Sequence, residues 1–201
     1  MDKIDRKKKK KKGFTYIAEA LASSVEDKIT SVKRKRIRPP HAVNEVLFLS
    51  LCNSCDKCIE VCPHGAIRAD ASEDLIGGGK PVIVPRKSPC YMCEDMPCVK
   101  VCEPGALKKT DGEPLKMGRA MIIKERCHVW GGRDPFCNYC FERCPLKNDA
   151  IYMDNNPSFS KGGLVGLSGG GPVIRGDKCT GCGICEYICV ADPPAIKVIP
   201  E

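Results

Sequence analysis

All sixteen cysteines of this 201-residue chain fall into four groups of four, and none is left over. The groups are Cys52, Cys55, Cys58, Cys62; Cys90, Cys93, Cys98, Cys102; Cys127, Cys137, Cys140, Cys144; and Cys179, Cys182, Cys185, Cys189. Cysteines spaced two or three residues apart force their backbone into tight loops around a common centre. The chain is therefore constrained to fold around four such centres.

The first group runs C-x2-C-x2-C-x3-C and is followed by Pro63, which is the spacing that holds a [4Fe–4S] cluster. The third group also ends on a proline, Pro145, but carries nine residues between Cys127 and Cys137. Iron in a sulfide cubane prefers soft anionic ligands, and thiolate supplies both the charge and the bond. All sixteen cysteines are read as iron ligands of four [4Fe–4S] clusters. The fourth cysteine of each run reaches across to a neighbouring cluster, so Cys62, Cys102, Cys144 and Cys189 are the expected cross-ligands. Zinc sites more often use two C-x2-C pairs a dozen or more residues apart, and a disulfide framework needs an oxidising compartment. Neither fits the close triplets. Cys127 is the most isolated ligand, with His128 as its one competitor, whereas His41 and His64 read as ordinary surface or hydrogen-bonded residues. Trp130, Tyr91, Tyr139 and Tyr187 stand close to ligands in sequence and are expected to shield the clusters from water. Only eleven residues are aromatic, so side-chain packing alone would give a thin core. Folding is expected to depend on metal.

Each cysteine group lies between two apolar stretches. Val46–Leu49, Val82–Val84, Ala120–Ile123 and Pro172–Ile174 precede the groups. Gly65–Ala66–Ile67, Gly105–Ala106–Leu107, Asp149–Ala150–Ile151 and Pro194–Ala195–Ile196 follow them. The repeat reads as strand, cysteine loop, helix turn, strand. Four repeats predict an α+β fold of two bacterial-type two-cluster ferredoxin modules with little regular secondary structure. Pairing the two regular groups predicts an outer module from 41–76 and 172–201. The two irregular groups then make an inserted module over 77–171. Sequential pairing, first with second and third with fourth, is the alternative. The six glycines between Lys161 and Gly171 read as a flexible connection, since no Gly-Lys-Ser/Thr follows to make a phosphate loop.

Of the formal charge of +8, residues 1–40 contribute a net +9 and the remainder about −1. Residues 1–40 read as a basic extension, with Phe14, Ile17, Leu21 and Val25 at near-helical spacing over roughly 14–29. Lys11–Lys12–Gly13–Phe14 sits where a twin-arginine leader carries its arginines. Glu19, Glu26 and Asp27 nonetheless break the apolar stretch early. The expectation is a non-cleaved segment on a cytoplasmic protein that can rest on an anionic membrane surface; a degenerate twin-arginine signal to the periplasm is the alternative. The folded part lacks the basic spread and stacking aromatics of a nucleic-acid binder, so no nucleic-acid partner is expected. The cluster ligands leave no catalytic constellation, which points to an electron carrier rather than an enzyme.

Arg38–Pro39–Pro40, Cys90–Tyr–Met–Cys–Glu–Asp–Met–Pro–Cys98, the third group closing on Cys137–Asn–Tyr–Cys–Phe–Glu–Arg–Cys–Pro145, and Cys179–Thr–Gly–Cys–Gly183 together resemble the MauM/NapG ferredoxin-type proteins over about residues 38–201. The resemblance implies a polyferredoxin with four [4Fe–4S] clusters that relays single electrons. It also implies redox protein partners, among them a membrane-bound quinol-oxidising ferredoxin-type protein. An iron–sulfur subunit of a different, cytoplasmic oxidoreductase is the alternative.

Overall fold

In the computed structural model the apolar stretches become six strands of three or four residues and five helices of four to seven, among the described residues 36–72, 78–110, 112, 114–154 and 170–201. β1 (Ile67–Ala69) pairs antiparallel with β2 (Pro81–Ile83), placing Ile67 opposite Ile83. β3 (Arg119–Ile122) pairs with β6 (Ile196–Ile199), and β4 (Ile151–Met153) with β5 (Pro172–Ile174), both antiparallel. Ala42 bridges Leu107, supported by the Val43 N–H to the Ala106 carbonyl at 3.1 Å and the Lys108 N–H to the His41 carbonyl at 2.8 Å. Each half of the chain thus repeats one scheme: its first and last extended segments pair, and its two inner strands pair. Three-residue ladders are too short to stand alone in water, so the loops between them must contribute to holding the fold.

This strand pairing runs in chain order, whereas the regular and irregular spacings suggested a nested arrangement. No ladder among the described residues joins 41–76 to 172–201. Residues up to 110 close on themselves, and residues from 114 to the end do likewise. The physical reason is chain connectivity: sequential segments reach each other through short loops, at a lower closure cost than a long insertion requires.

The structure corrects the reading of Val46–Leu49 as a strand. The stretch lies in helix α1 (Glu45–Leu51), whose Asn44 side chain accepts the Leu47 N–H at 3.0 Å. A continuous apolar run is ambiguous between strand and helix, and the cap residue with Glu45 in the first turn decides it. Gly105–Ala106–Leu107 likewise contributes a single bridge rather than a strand. The remaining helices are single turns: α2 (Lys57–Glu60), α3 (Pro97–Lys100), α4 (Tyr139–Glu142) and α5 (Ile184–Ile188). Each carries the third cysteine of its group and delivers the fourth at its end.

One core runs through both halves, joining Phe48, Ile67, Ile83 and Leu107 to Met117, Ile184 and Val198. Arg38, only 6 % exposed, is clamped there by Glu45 at 2.7 and 3.0 Å and by the Pro81 carbonyl at 3.1 Å. Its guanidinium also lies 4.6 Å from the Phe48 ring centroid. Pro39 and Pro40 beside it are fully buried, so the Arg-Pro-Pro motif seals the core beneath α1. The helix expected over 14–29, most of the basic extension and residues 161–169 of the glycine connection lie outside the described residues. No helix among the described residues is long and apolar enough to cross a membrane.

Candidate metal centres

Four cysteine quartets form, and each takes three members from one group and the fourth from that group's neighbour. Cys52 and Cys55, in the loop between α1 and α2, and Cys58, in α2, line one concavity with Cys102, which follows α3. This is cradle A. Cradle B combines Cys90, Cys93 and Cys98 with Cys62. Cradle C combines Cys179, Cys182 and Cys185 with Cys144. These three concavities, each about 340–360 Å³ with the solvent-open part included, have apolar walls. In cradle D the Cys140 thiol is surrounded by Cys127, Cys137 and Cys189. Cys62, Cys102, Cys144 and Cys189 thus stand beside the first three cysteines of the neighbouring group, each within its own half of the chain.

Cys127 lies beside the other three thiols of cradle D. It is 7 % exposed and packs with Cys137 and Cys189 around Val129 and Ala195. The long loop after it folds back on itself: Gly131 donates to the Cys127 carbonyl at 2.8 Å and Arg133 to the His128 carbonyl at 2.8 Å. Trp130 then ties the loop to β5 by donating its Nε1–H to the Pro172 carbonyl at 3.0 Å. Gly171 faces that indole, and a Cβ there would come within 2.5 Å of Nε1. His128 and Asp134 group instead with Cys137, and since Cys137 already belongs to cradle D, the trio is no separate site. Of the aromatics expected to shield the centres, Trp130 is partly buried, while Tyr91, Tyr139 and Tyr187 are about half exposed.

The repeated small–Ala–Ile tails have a direct role at the sulfurs. Backbone N–H groups of Ala66, Leu107 and Ala195 donate to Sγ of Cys62, Cys102 and Cys189 at 3.3, 3.2 and 3.3 Å. Met92 and Ala120 donate similarly to Cys90 and Cys179, each at 3.4 Å. Such bonds favour the thiolate over the thiol and tune a bound cluster.

Burial acts in the opposite direction. It pushes the Cys58 thiol up to about 12, with Cys52, Cys102 and Cys55 adding to the effect. Burial also raises Cys98 to about 12, followed by Cys90, Cys62 and Cys58. Cys140 rises to about 12 through burial and then Cys127, Cys137 and Cys189. Four thiolates cannot ionise together in such a place unless a cation joins them. A [4Fe–4S] core meets that need: it is cationic, bonds each sulfur and leaves the walls apolar. Three of the sixteen members, Cys90, Cys98 and Cys127, are at most 7 % exposed, and Cys55 is the one thiol classed as exposed.

Sequence reasoning missed the residues that join the halves. Arg86, on the turn after β2, donates Nη1 to the carbonyls of Glu186, Tyr187 and Cys189 at 3.2, 3.2 and 3.0 Å. It caps the C-terminus of α5 from the other half of the chain, as a cation is suited to do. An arginine in an ordinary turn carries no sequence mark of that role.

The chain is similar to known iron–sulfur proteins over most of its length. The family model for a 4Fe-4S dicluster domain matches residues 51–106, the stretch that holds the first two cysteine groups entire. The ferredoxin-type protein NapG of Escherichia coli (strain K12) is 34% identical over 186 residues, covering 91% of this chain and 78% of that protein. The methylamine utilization ferredoxin-type protein MauM of Paracoccus denitrificans is 37% identical over 173 residues, covering 85% and 74%. MauM of Methylorubrum extorquens is 32% identical over 192 residues, covering 94% and 84%. With its cysteine cradles and this likeness over most of its length, the chain belongs to the NapG/MauM family of ferredoxin-type proteins, iron–sulfur carriers of electrons.

Proposed function

We propose that the chain carries four [4Fe–4S] clusters, one in each of cradles A to D, in two successive two-cluster modules, and passes single electrons between redox proteins. The observation that supports this most strongly is the exchange of fourth cysteines: Cys62 and Cys102 within the first half, Cys144 and Cys189 within the second. Exchange of this kind ties two centres into one unit, with each group supplying a ligand to its neighbour's cluster. All sixteen cysteines are assigned as iron ligands on this reading, and cysteine supplies every donor.

The partners are a one-electron donor and a one-electron acceptor. A membrane-bound quinol-oxidising ferredoxin-type protein is the proposed donor and an oxidoreductase the acceptor. The proposed compartment is the cytoplasmic side, with the basic residues 1–40 available to an anionic surface; a fusion reporting periplasmic exposure would overturn that placement. Anaerobic purification followed by iron and acid-labile sulfide analysis tests the cofactor content. About sixteen of each per chain is expected for four cubanes. Two to four zinc ions without sulfide would refute it.

A further inference from the structure

The halves of the chain meet at two ligands. The Cys90 N–H donates to the Cys182 carbonyl at 2.9 Å; Cys90 belongs to cradle B and Cys182 to cradle C, and both are buried. Met92, between the cradle B ligands Cys90 and Cys93, forms part of the wall of cradle C. The Thr180 hydroxyl donates to its Sδ at 3.2 Å. Gly183 has φ +89°, and a Cβ there would fall 2.6 Å from the Pro85 Cβ. The backbone beside Cys182 therefore lies directly against the first half. Arg86 fastens the same seam from outside through α5.

Within each half the cradles are also neighbours. The single-turn helix α2 carries Cys58 of cradle A and leads to Cys62 of cradle B, and α3 carries Cys98 of B and leads to Cys102 of A; α4 and α5 join C and D in the same way, through Cys140 and Cys144 and through Cys185 and Cys189. Cradles A and D therefore lie at the two ends, with B and C in the middle.

Resting on the four-cluster reading, we propose that electrons cross from one half to the other at the Cys90–Cys182 contact, making the four centres a single relay in the order A, B, C, D. Met92, Thr180, Pro85 and Arg86 are positioning residues for that crossing. In each step a reduced centre loses one electron, its core charge going from +1 to +2, and the next centre gains it, going from +2 to +1. No bond is made or broken and no proton is required. A one-electron redox protein at one end supplies the electron, and a second at the other end removes it. The alternative is two independent two-cluster carriers that happen to share a chain.

Paramagnetic resonance on the full-length, anaerobically reconstituted and fully reduced protein separates the two. Cys137→Ala with Cys140→Ala removes centre D, and Cys52→Ala with Cys55→Ala removes centre A. In a relay, each end lesion leaves three centres in contact, so no isolated, slowly relaxing [4Fe–4S] signal appears. Cys179→Ala with Cys182→Ala removes the inner centre C and strands D, which then gives such a signal at about one spin per chain. Independent modules predict an isolated signal from the end lesions as well, from C in one variant and from B in the other. That result overturns the relay. The two end lesions lie in different halves, so failure of one variant to load leaves the other to decide. Iron content of the unmodified chain stands apart from this comparison: a value far below about sixteen refutes the four-cluster reading rather than the junction.

Discussion

Removing the iron from the anaerobic holoprotein with a strong chelator is expected to abolish the fold, not merely the colour. The described helices are one or two turns long and the strands three or four residues, well below the length at which either persists alone in water. The core includes Cys90, Cys98 and Cys182 among its buried members, so much of what lies inside is ligand. Without the core that joins them, those thiols face one another across apolar concavities. Metal binding then counts as folding free energy, and its loss is set against the roughly 5–15 kcal/mol that holds a typical domain together. Hydrogen exchange is the informative measurement. Protection of the Arg119–Ile122 and Ile196–Ile199 ladder should vanish with the iron, together with far-ultraviolet dichroism. Persistent protection in the apoprotein would show that side-chain packing suffices and that the clusters are passengers.

Substituting Cys102 by alanine is expected to open cradle A and no other. Cys102 closes the concavity that Cys52, Cys55 and Cys58 line, while the partner centre keeps Cys62, Cys90, Cys93 and Cys98. Iron should fall by about four atoms, one cubane. Thiol alkylation of the loaded variant should then modify Cys52, Cys55 and Cys58 while Cys127, Cys137 and Cys140 remain protected. The nested arrangement suggested by the spacings predicts the reverse, because it places the second group with the third. Alkylation confined to Cys127, Cys137 and Cys140 would therefore contradict the sequential pairing. The loss of a whole centre from one side chain makes this a large and local effect.

The two expectations differ because spacing describes a ligand loop and says little about its partner. The first and fourth groups share a spacing, and the irregular pair remains, which suggested nesting. Which loops exchange cysteines is decided elsewhere, by the short ladders: Ile67 opposite Ile83 closes the first half, and Ile122 opposite Ile196 closes the second. Those strands were legible as apolar stretches, but their partners were not, because a three-residue strand carries too little pattern to specify a register. The small–Ala–Ile tails were legible as a repeat, and in three of the four a tail amide bonds the fourth sulfur of its group. At α1 the cap was present in the sequence as Asn44–Glu45 and was outweighed by four apolar residues in a row. The contacts joining the halves left no signal at all. A threonine hydroxyl on a methionine sulfur and an arginine on three carbonyls are made by residues that look ordinary in isolation.

Anomalous diffraction at the iron edge from crystals of the anaerobic holoprotein tests the central claim most directly. The account predicts four iron centres. Their ligands should be Cys52, Cys55, Cys58 and Cys102; Cys62, Cys90, Cys93 and Cys98; Cys144, Cys179, Cys182 and Cys185; and Cys127, Cys137, Cys140 and Cys189. Fewer iron centres, signal at the zinc edge instead, or a centre joining Cys52, Cys55 and Cys58 to Cys189 would contradict it.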